Sequence, residues 1–172
     1  LVDYHDIYVM PTANPDGHHL AERGESTPYS QRKNADYDDG CTTWPTSNGT
    51  GVGTDLNRYF PYQWASGGTA CSVTYAGPSA GSEPEVQAVM AKIAELFPDQ
   101  RGSGSAAAPI TATGTIQSLH TYGSYNLYPW GYTSSAAPNG TDLRNIARHM
   151  TAANAGGNGY LACQPQSCLY TV

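Results

Sequence analysis

The chain has 172 residues, room for one domain with one sizeable core. Charged residues are 13% and apolar residues 39%, with 13 Tyr and 19 Gly. This excludes a disordered polyelectrolyte and a coiled coil, and no apolar run approaches the ~20 residues of a membrane-spanning helix. Eight Lys and Arg against 14 Asp and Glu leave a net charge of −6, the wrong sign for nucleic acid or an anionic membrane surface.

The first ten residues carry Asp3, His5 and Asp6 rather than a basic and then apolar leader, and the first residue is Leu. The chain reads as a mature or excised piece. Ile7-Tyr8-Val9-Met10, ended by Pro11, predicts a buried strand. Asn14-Pro15-Asp16-Gly17 predicts a turn. Residues 21–54 show little periodicity, and so long a structureless stretch is uncommon in a compact domain unless functional or stapled. Ser82-Glu83-Pro84-Glu85 predicts a helix start, with Ser82 as cap and Glu85 closing a capping box. Val86, Val89, Met90, Ile93 and Leu96 follow at helical spacing, and Pro98 stops the helix. Residues 101–109 read as a Gly/Ser/Ala surface loop. Thr115-Ile116-Gln117-Ser118-Leu119 alternates like a strand and delivers His120 at its end. Residues 125–128 are a second strand candidate. Residues 142–154 predict a second helix, with Leu143, Ile146, Ala147 and Met150 on one face and Gly156-Gly157 after it. Strands alternating with helices argue for an α/β fold, a mixed sheet with flanking helices.

Cys41, Cys71, Cys163 and Cys168 form no CxxC pair, so disulfides are expected rather than a structural zinc site. Four cysteines allow three pairings, and the residues alone do not choose among them. With an acidic surface rich in Tyr, Gly, Ser and Thr, they point to a secreted protein. Asn48-Gly49-Thr50 and Asn139-Gly140-Thr141 are glycosylation sequons.

His120 sits where a strand candidate meets the loop Thr121-Tyr122-Gly123-Ser124, and strand ends of α/β sheets are where ligands bind. His18-His19 could be a metal pair, but adjacent residues on a strand face opposite ways. Asp55-Leu56-Asn57-Arg58 is a compact polar cluster whose Arg offers a planar fork for a carboxylate, with Asn donors beside it. Arg32-Lys33-Asn34 concentrates two cations in a chain that has only eight.

Six motifs stand in one order: Asn14-Pro15-Asp16-Gly17; Arg32-Lys33-Asn34; Gly53-Thr54-Asp55-Leu56-Asn57-Arg58; Tyr75-Ala76-Gly77-Pro78 with Ser82-Glu83-Pro84-Glu85; Ser118-Leu119-His120-Thr121-Tyr122-Gly123; and Leu127-Tyr128-Pro129-Trp130-Gly131-Tyr132. The series covers nearly the whole chain and resembles the carboxypeptidase A family of zinc metallocarboxypeptidases, looking closest to its secreted bacterial, carboxypeptidase T-like members. The resemblance implies residues 1–172 as the central part of a single catalytic domain, truncated at both ends, and hydrolysis of the C-terminal residue from peptide or protein substrates. By the same resemblance His120 is a zinc ligand, Arg32 polarises the scissile carbonyl and steadies the oxyanion, and Asn57 and Arg58 bind the terminal carboxylate. Tyr170 covers the bound residue and Leu169 walls the specificity pocket. Zinc would act as Lewis acid and water activator, Arg32 would stabilise developing charge, and the carboxylate clamp would restrict cleavage to chain ends. Cys41 and Cys71 match a disulfide of animal members. Cys163–Cys168 is the second expected bond, closing a short loop beside Tyr170.

Departures from the family pattern qualify this. The family's His-x-x-Glu ligand pair precedes the Asn-Pro-Asp-Gly motif, and the chain is read as having no such pair, since its one early histidine, His5, has Tyr8 three positions on. Its catalytic Glu lies beyond the tyrosine, past Val172. Gln31 replaces a usual Trp, and Tyr59 a usual second Asn, both tolerable changes. The chain alone is therefore expected to lack tight zinc binding and turnover, while His120, Arg32, Asn57, Arg58 and Tyr170 line one concave site. Two alternatives remain. A cell-wall peptide-cleaving peptidase of the same family would be separated by the pocket floor beyond Val172. A non-catalytic secreted module binding peptides or glycans would explain the Tyr and Trp content, but not the ordered series of motifs.

Overall fold

Residues 14–17 begin a helix rather than a turn. Asn14 Oδ1 accepts the Gly17 N–H at 2.9 Å, and Pro15 opens α1, Pro15–Glu22. An Asx turn and a helix N-cap use the same side-chain-to-backbone bond, so one tetrapeptide serves either. The computed structural model describes residues 3–44, 49–153 and 159–169. Tyr170, Asn48 and the expected helix end at Asn154, Gly156 and Gly157 lie outside the described residues. The chain divides into two compact units, Leu1–Leu96 and Phe97–Val172.

The first unit holds α1, a 3₁₀ turn Leu56–Arg58 and α2, Pro84–Leu96. Its core is unusually polar: Leu20, Val52, Tyr59, Ala76 and Val86 are buried together with Lys33, Asn34, Thr54, Asp55 and Glu83. The irregular stretch after α1 is tied down bond by bond. Asn34 N–H donates to Thr54 O at 3.0 Å, and Thr54 N–H returns to Asn34 Oδ1 at 2.8 Å. Gly51 N–H reaches Cys71 O at 3.1 Å, and Val52 N–H reaches Thr43 O at 2.9 Å. Gly53, at φ +96°, passes so close that a Cβ there would lie 2.0 Å from Asn34 O; only glycine fits. The Cys41–Cys71 disulfide closes the stretch, with Cα atoms 5.1 Å apart.

The start of α2 matches the sequence reading, but its cap does not. The Ser82 hydroxyl bonds to the Tyr59 hydroxyl instead of the helix. Glu83 takes the position before Pro84, its carbonyl accepting Gln87 N–H at 3.1 Å.

In the second unit, β1 (Tyr125–Leu127) and β2 (Leu161–Cys163) pair in parallel, with Tyr125 opposite Leu161 and Leu127 opposite Cys163. The connection carries α3, Gly140–Ala153, which packs on both strands as parallel pairing requires. Asn126 Nδ2 fastens the helix by donating to Thr151 Oγ1 at 2.9 Å. A short α4, Pro165–Cys168, follows, closed by Cys163–Cys168 with Cα atoms 6.4 Å apart.

Two expected strands are absent. Residues 7–10 lie exposed, Val9 at 77%, and residues 115–119 likewise, Leu119 at 86%; neither joins a ladder. Apolar alternation states which residues favour burial, but a strand forms only where a neighbour takes its backbone hydrogen bonds.

Candidate active site

The best-defined polar site in the first unit is built around one buried carboxylate. Asp55 accepts the Arg32 Nε–H at Oδ2, 2.7 Å away. The Asp55 side chain is 2% exposed and that of Arg32 42%, so the guanidinium is held by its inner edge while much of it faces solvent. The same carboxylate caps the 3₁₀ turn: Oδ1 accepts the Asn57 N–H at 3.0 Å. The Asp55 carbonyl accepts the Arg58 N–H at 2.8 Å, and its own N–H donates to Tyr75 O at 2.9 Å. Arg58 Nη1 donates to Asn57 O at 3.0 Å. Arg32, Asn57 and Arg58, expected to serve one substrate, are thus joined through Asp55. Asp55 stands in the Asp55-Leu56-Asn57-Arg58 cluster, where the sequence pattern alone assigns it no role. The signal was available, since an Asp two residues before the N–H it accepts is an Asx-type cap.

A second layer supports this one. Lys33 Nζ donates to Ala70 O at 2.9 Å and to Gly51 O. Burial lowers its pKa, opposed by the charges of Asp39 and Asp55. Gln31 Nε2 donates to Lys33 O and Asn34 O, each at 3.0 Å, which is how this residue is accommodated beside Arg32. Asn34 Nδ2 donates to the buried Glu83 carboxylate. Burial pushes the Glu83 pKa up, partly offset by the Asn34 bond. Burial likewise pushes the Tyr59 hydroxyl up to about 12.

The remaining expected residues belong to the second unit. His120 is exposed, with Nε2 3.2 Å from Ser118 Oγ; it lies on a loop, because residues 115–119 form no strand. Leu169, half-exposed, follows α4 and donates its N–H to Pro165 O at 2.8 Å. Both expected disulfides are present.

Among the described residues, the only group of three or more metal-ligating side chains is Asp36, Asp39 and Glu83, within 4.8 Å of one another. These are hard oxygen donors without a histidine, unlike a zinc set, and each already accepts a hydrogen bond, from Asp38 N–H, the Thr54 hydroxyl and Asn34 respectively. His18 and His19 lie on α1 rather than on a strand, and His18 Nε2 is 3.7 Å from Glu22 Oε1. His19 and Glu22 have the His-x-x-Glu spacing, a pair the sequence reading passed over, but they stand after Asn14 and exposed. The described residues do not by themselves assemble a zinc site around His120.

The Asp55 carboxylate thus holds the Arg32 guanidinium and caps the turn that carries Asn57 and Arg58, and comparison with known proteins places the chain further. Residues 1–164 match the family model Zinc carboxypeptidase, and the chain belongs to that family. It is 33% identical over 151 residues to a metallocarboxypeptidase A-like protein of Trichophyton verrucosum, covering 86% of this chain and 30% of that one. It is 33% identical over 150 residues to zinc carboxypeptidase A 1 of Anopheles gambiae, covering 86% of this chain and 29% of that one. The chain thus spans about 30% of the length of these relatives. Among solved structures it resembles bovine thrombin-activatable fibrinolysis inhibitor in complex with a tick carboxypeptidase inhibitor, with TM-score 0.69 and 25% identity, over 95% of this chain and 50% of that one.

Proposed function

We propose that this chain is the substrate-carboxylate half of a zinc metallocarboxypeptidase catalytic domain, of which residues 1–172 form the central part. The activity is removal of the C-terminal residue from peptides. Asn57 and Arg58 receive the terminal carboxylate, Arg32 the scissile carbonyl oxygen, Leu169 walls the side-chain pocket, and Tyr170 covers it. His120 is the residue of this chain assigned to zinc, the metal of the family. The bacterial carboxypeptidase T-like subtype rests on the order of motifs alone. Secretion is supported by the two disulfides; no described helix is long and apolar enough to cross a membrane.

One observation carries the reading: Asp55 binds Arg32 and the Asn57–Arg58 turn at the same time. The held Arg32 then stands ready for a carbonyl oxygen, while the capped Asn57–Arg58 turn offers an amide and a guanidinium fork, the donors a free carboxylate needs. The experiment is a titration of the chain with benzoylglycine and with benzoylglycinamide, which lacks the charge. The expected result is saturable binding of the acid only, weakened at least tenfold by Arg58→Gln. Equal binding of acid and amide would overturn the reading.

A second reading, a module that binds peptides or glycans without catalysis, draws on one patch. The exposed rings of Tyr37 and Trp44 meet edge-on at 5.8 Å, with the Arg23 guanidinium 5.2 Å over Trp44. Binding confined to that patch would favour it.

A further inference from the structure

We infer that Asp55 is a positioning residue that couples the two arms of the carboxylate site. It sets Arg32 and the Asn57–Arg58 turn relative to each other before substrate arrives, an inference that rests on the reading above.

The coupling follows from how the carboxylate is divided. Oδ2 takes Arg32 Nε–H and Oδ1 takes Asn57 N–H, so neither arm can shift without pulling on the other's anchor. Using Nε leaves the two terminal amino groups of Arg32 without a partner among the described residues. These are the donors that would meet a substrate oxygen. The carboxylate itself is fixed from behind. The Asp55 backbone bonds Tyr75 O, its side chain is 2% exposed, and the buried Lys33 ammonium lies close enough for its charge to be felt. Charge also matters, because the Asp55 anion lies 2.7 Å from the Arg32 Nε and holds that cation in place. Arginine side chains have many rotamers, and binding is weakened by whatever freedom must be frozen when ligand arrives. A carboxylate that freezes one arginine in advance removes part of that cost.

Asp55→Asn separates the two bonds. The amide oxygen still accepts Asn57 N–H, but the amide NH₂ faces the Arg32 Nε–H, donor against donor, and the charge is gone. The test measures benzoylglycine affinity in the unmodified chain, Asp55→Asn, Arg32→Gln and the double variant. The expected result is that Asp55→Asn weakens binding about tenfold in the unmodified background and has little further effect once Arg32 is Gln, the non-additivity of two residues acting as one unit. An equal loss in both backgrounds would overturn the coupling while leaving the carboxylate site standing. No binding by the unmodified chain would overturn the site itself, and the coupling with it.

A measurement on the unmodified chain covers the case in which Asp55→Asn does not fold. The Arg32 Nε–H resonance should exchange slowly with water and move along the same titration curve as the Asn57 amide when benzoylglycine is added. An Arg32 Nε–H that exchanges like that of a free arginine would overturn the inference.

Discussion

Removing the Cys41–Cys71 disulfide, as Cys41→Ala with Cys71→Ala, should be the most destabilising change available outside the site. The bond closes a separation of 30 residues, which the chain-entropy relation converts to about 3.6 kcal/mol at 25 °C. Cys163–Cys168 closes 5, worth about 2.1 kcal/mol by the same relation. The local structure adds to the first figure. Cys71 O accepts Gly51 N–H, and the carbonyls of Gly51 and Ala70 hold the buried Lys33 ammonium. Slackening that loop loosens the partners of a buried cation, and a buried charge with poor partners is costly. The assay is urea unfolding followed by fluorescence. Trp64 reports on the first unit and Trp130 on the second, each with the other tryptophans replaced by Phe. The expected outcome is a loss of 3–4 kcal/mol in the first unit for the Cys41/Cys71 pair, exceeding the loss in the second unit for the Cys163/Cys168 pair by at least about 1.6 kcal/mol. Equal losses, or a larger one for the short loop, would refute the loop-length argument.

Glu83→Gln should flatten the pH dependence of stability. Burial raises the folded pKa of Glu83 above its ordinary 4.5, so its contribution is fully present below that value and is lost as pH rises through the raised pKa. Urea midpoints at pH 4 and pH 7 should therefore differ less in the variant than in the unmodified chain. Asn14→Ala should cost about 1–2 kcal/mol through loss of the α1 cap. Gly17→Ala should cost more, because its Cβ would sit 2.4 Å from Lys33 O; thermal melts order the two. Zinc measured after dialysis should come to well under one ion per chain. Near-stoichiometric zinc would bring His5, His18 and His19 into the ligand set.

The candidate residues were picked out by the order of six motifs, with their local chemistry as support. Asn57 and Arg58 sit on a three-residue turn, and Arg32 was marked by a scarcity of cations. The Asp55 link was not legible, because a contact between positions 32 and 55 depends on how an irregular stretch is folded, and no periodicity encodes that. The helices at 84–96 and 140–153 announced themselves through apolar spacing and flanking Pro and Gly. α1 did not, since its eight residues carry too few apolar positions to show a period and its N-cap reads as a turn. β2 escaped notice because three residues are too short for alternation, and its place is set by pairing with β1. The apolar runs at 7–10 and 115–119 were visible but misassigned: a tendency to bury was read as a strand, and strands are defined by partners.

The most direct test is a structure of the chain with benzoylglycine bound. The ligand carboxylate is expected at ~2.7–3.1 Å from the Arg58 guanidinium and the Asn57 side-chain amide, with Arg32 still fastened to Asp55. A carboxylate bound elsewhere, such as against Arg23 and Trp44, with Asn57 and Arg58 untouched, would contradict that expectation.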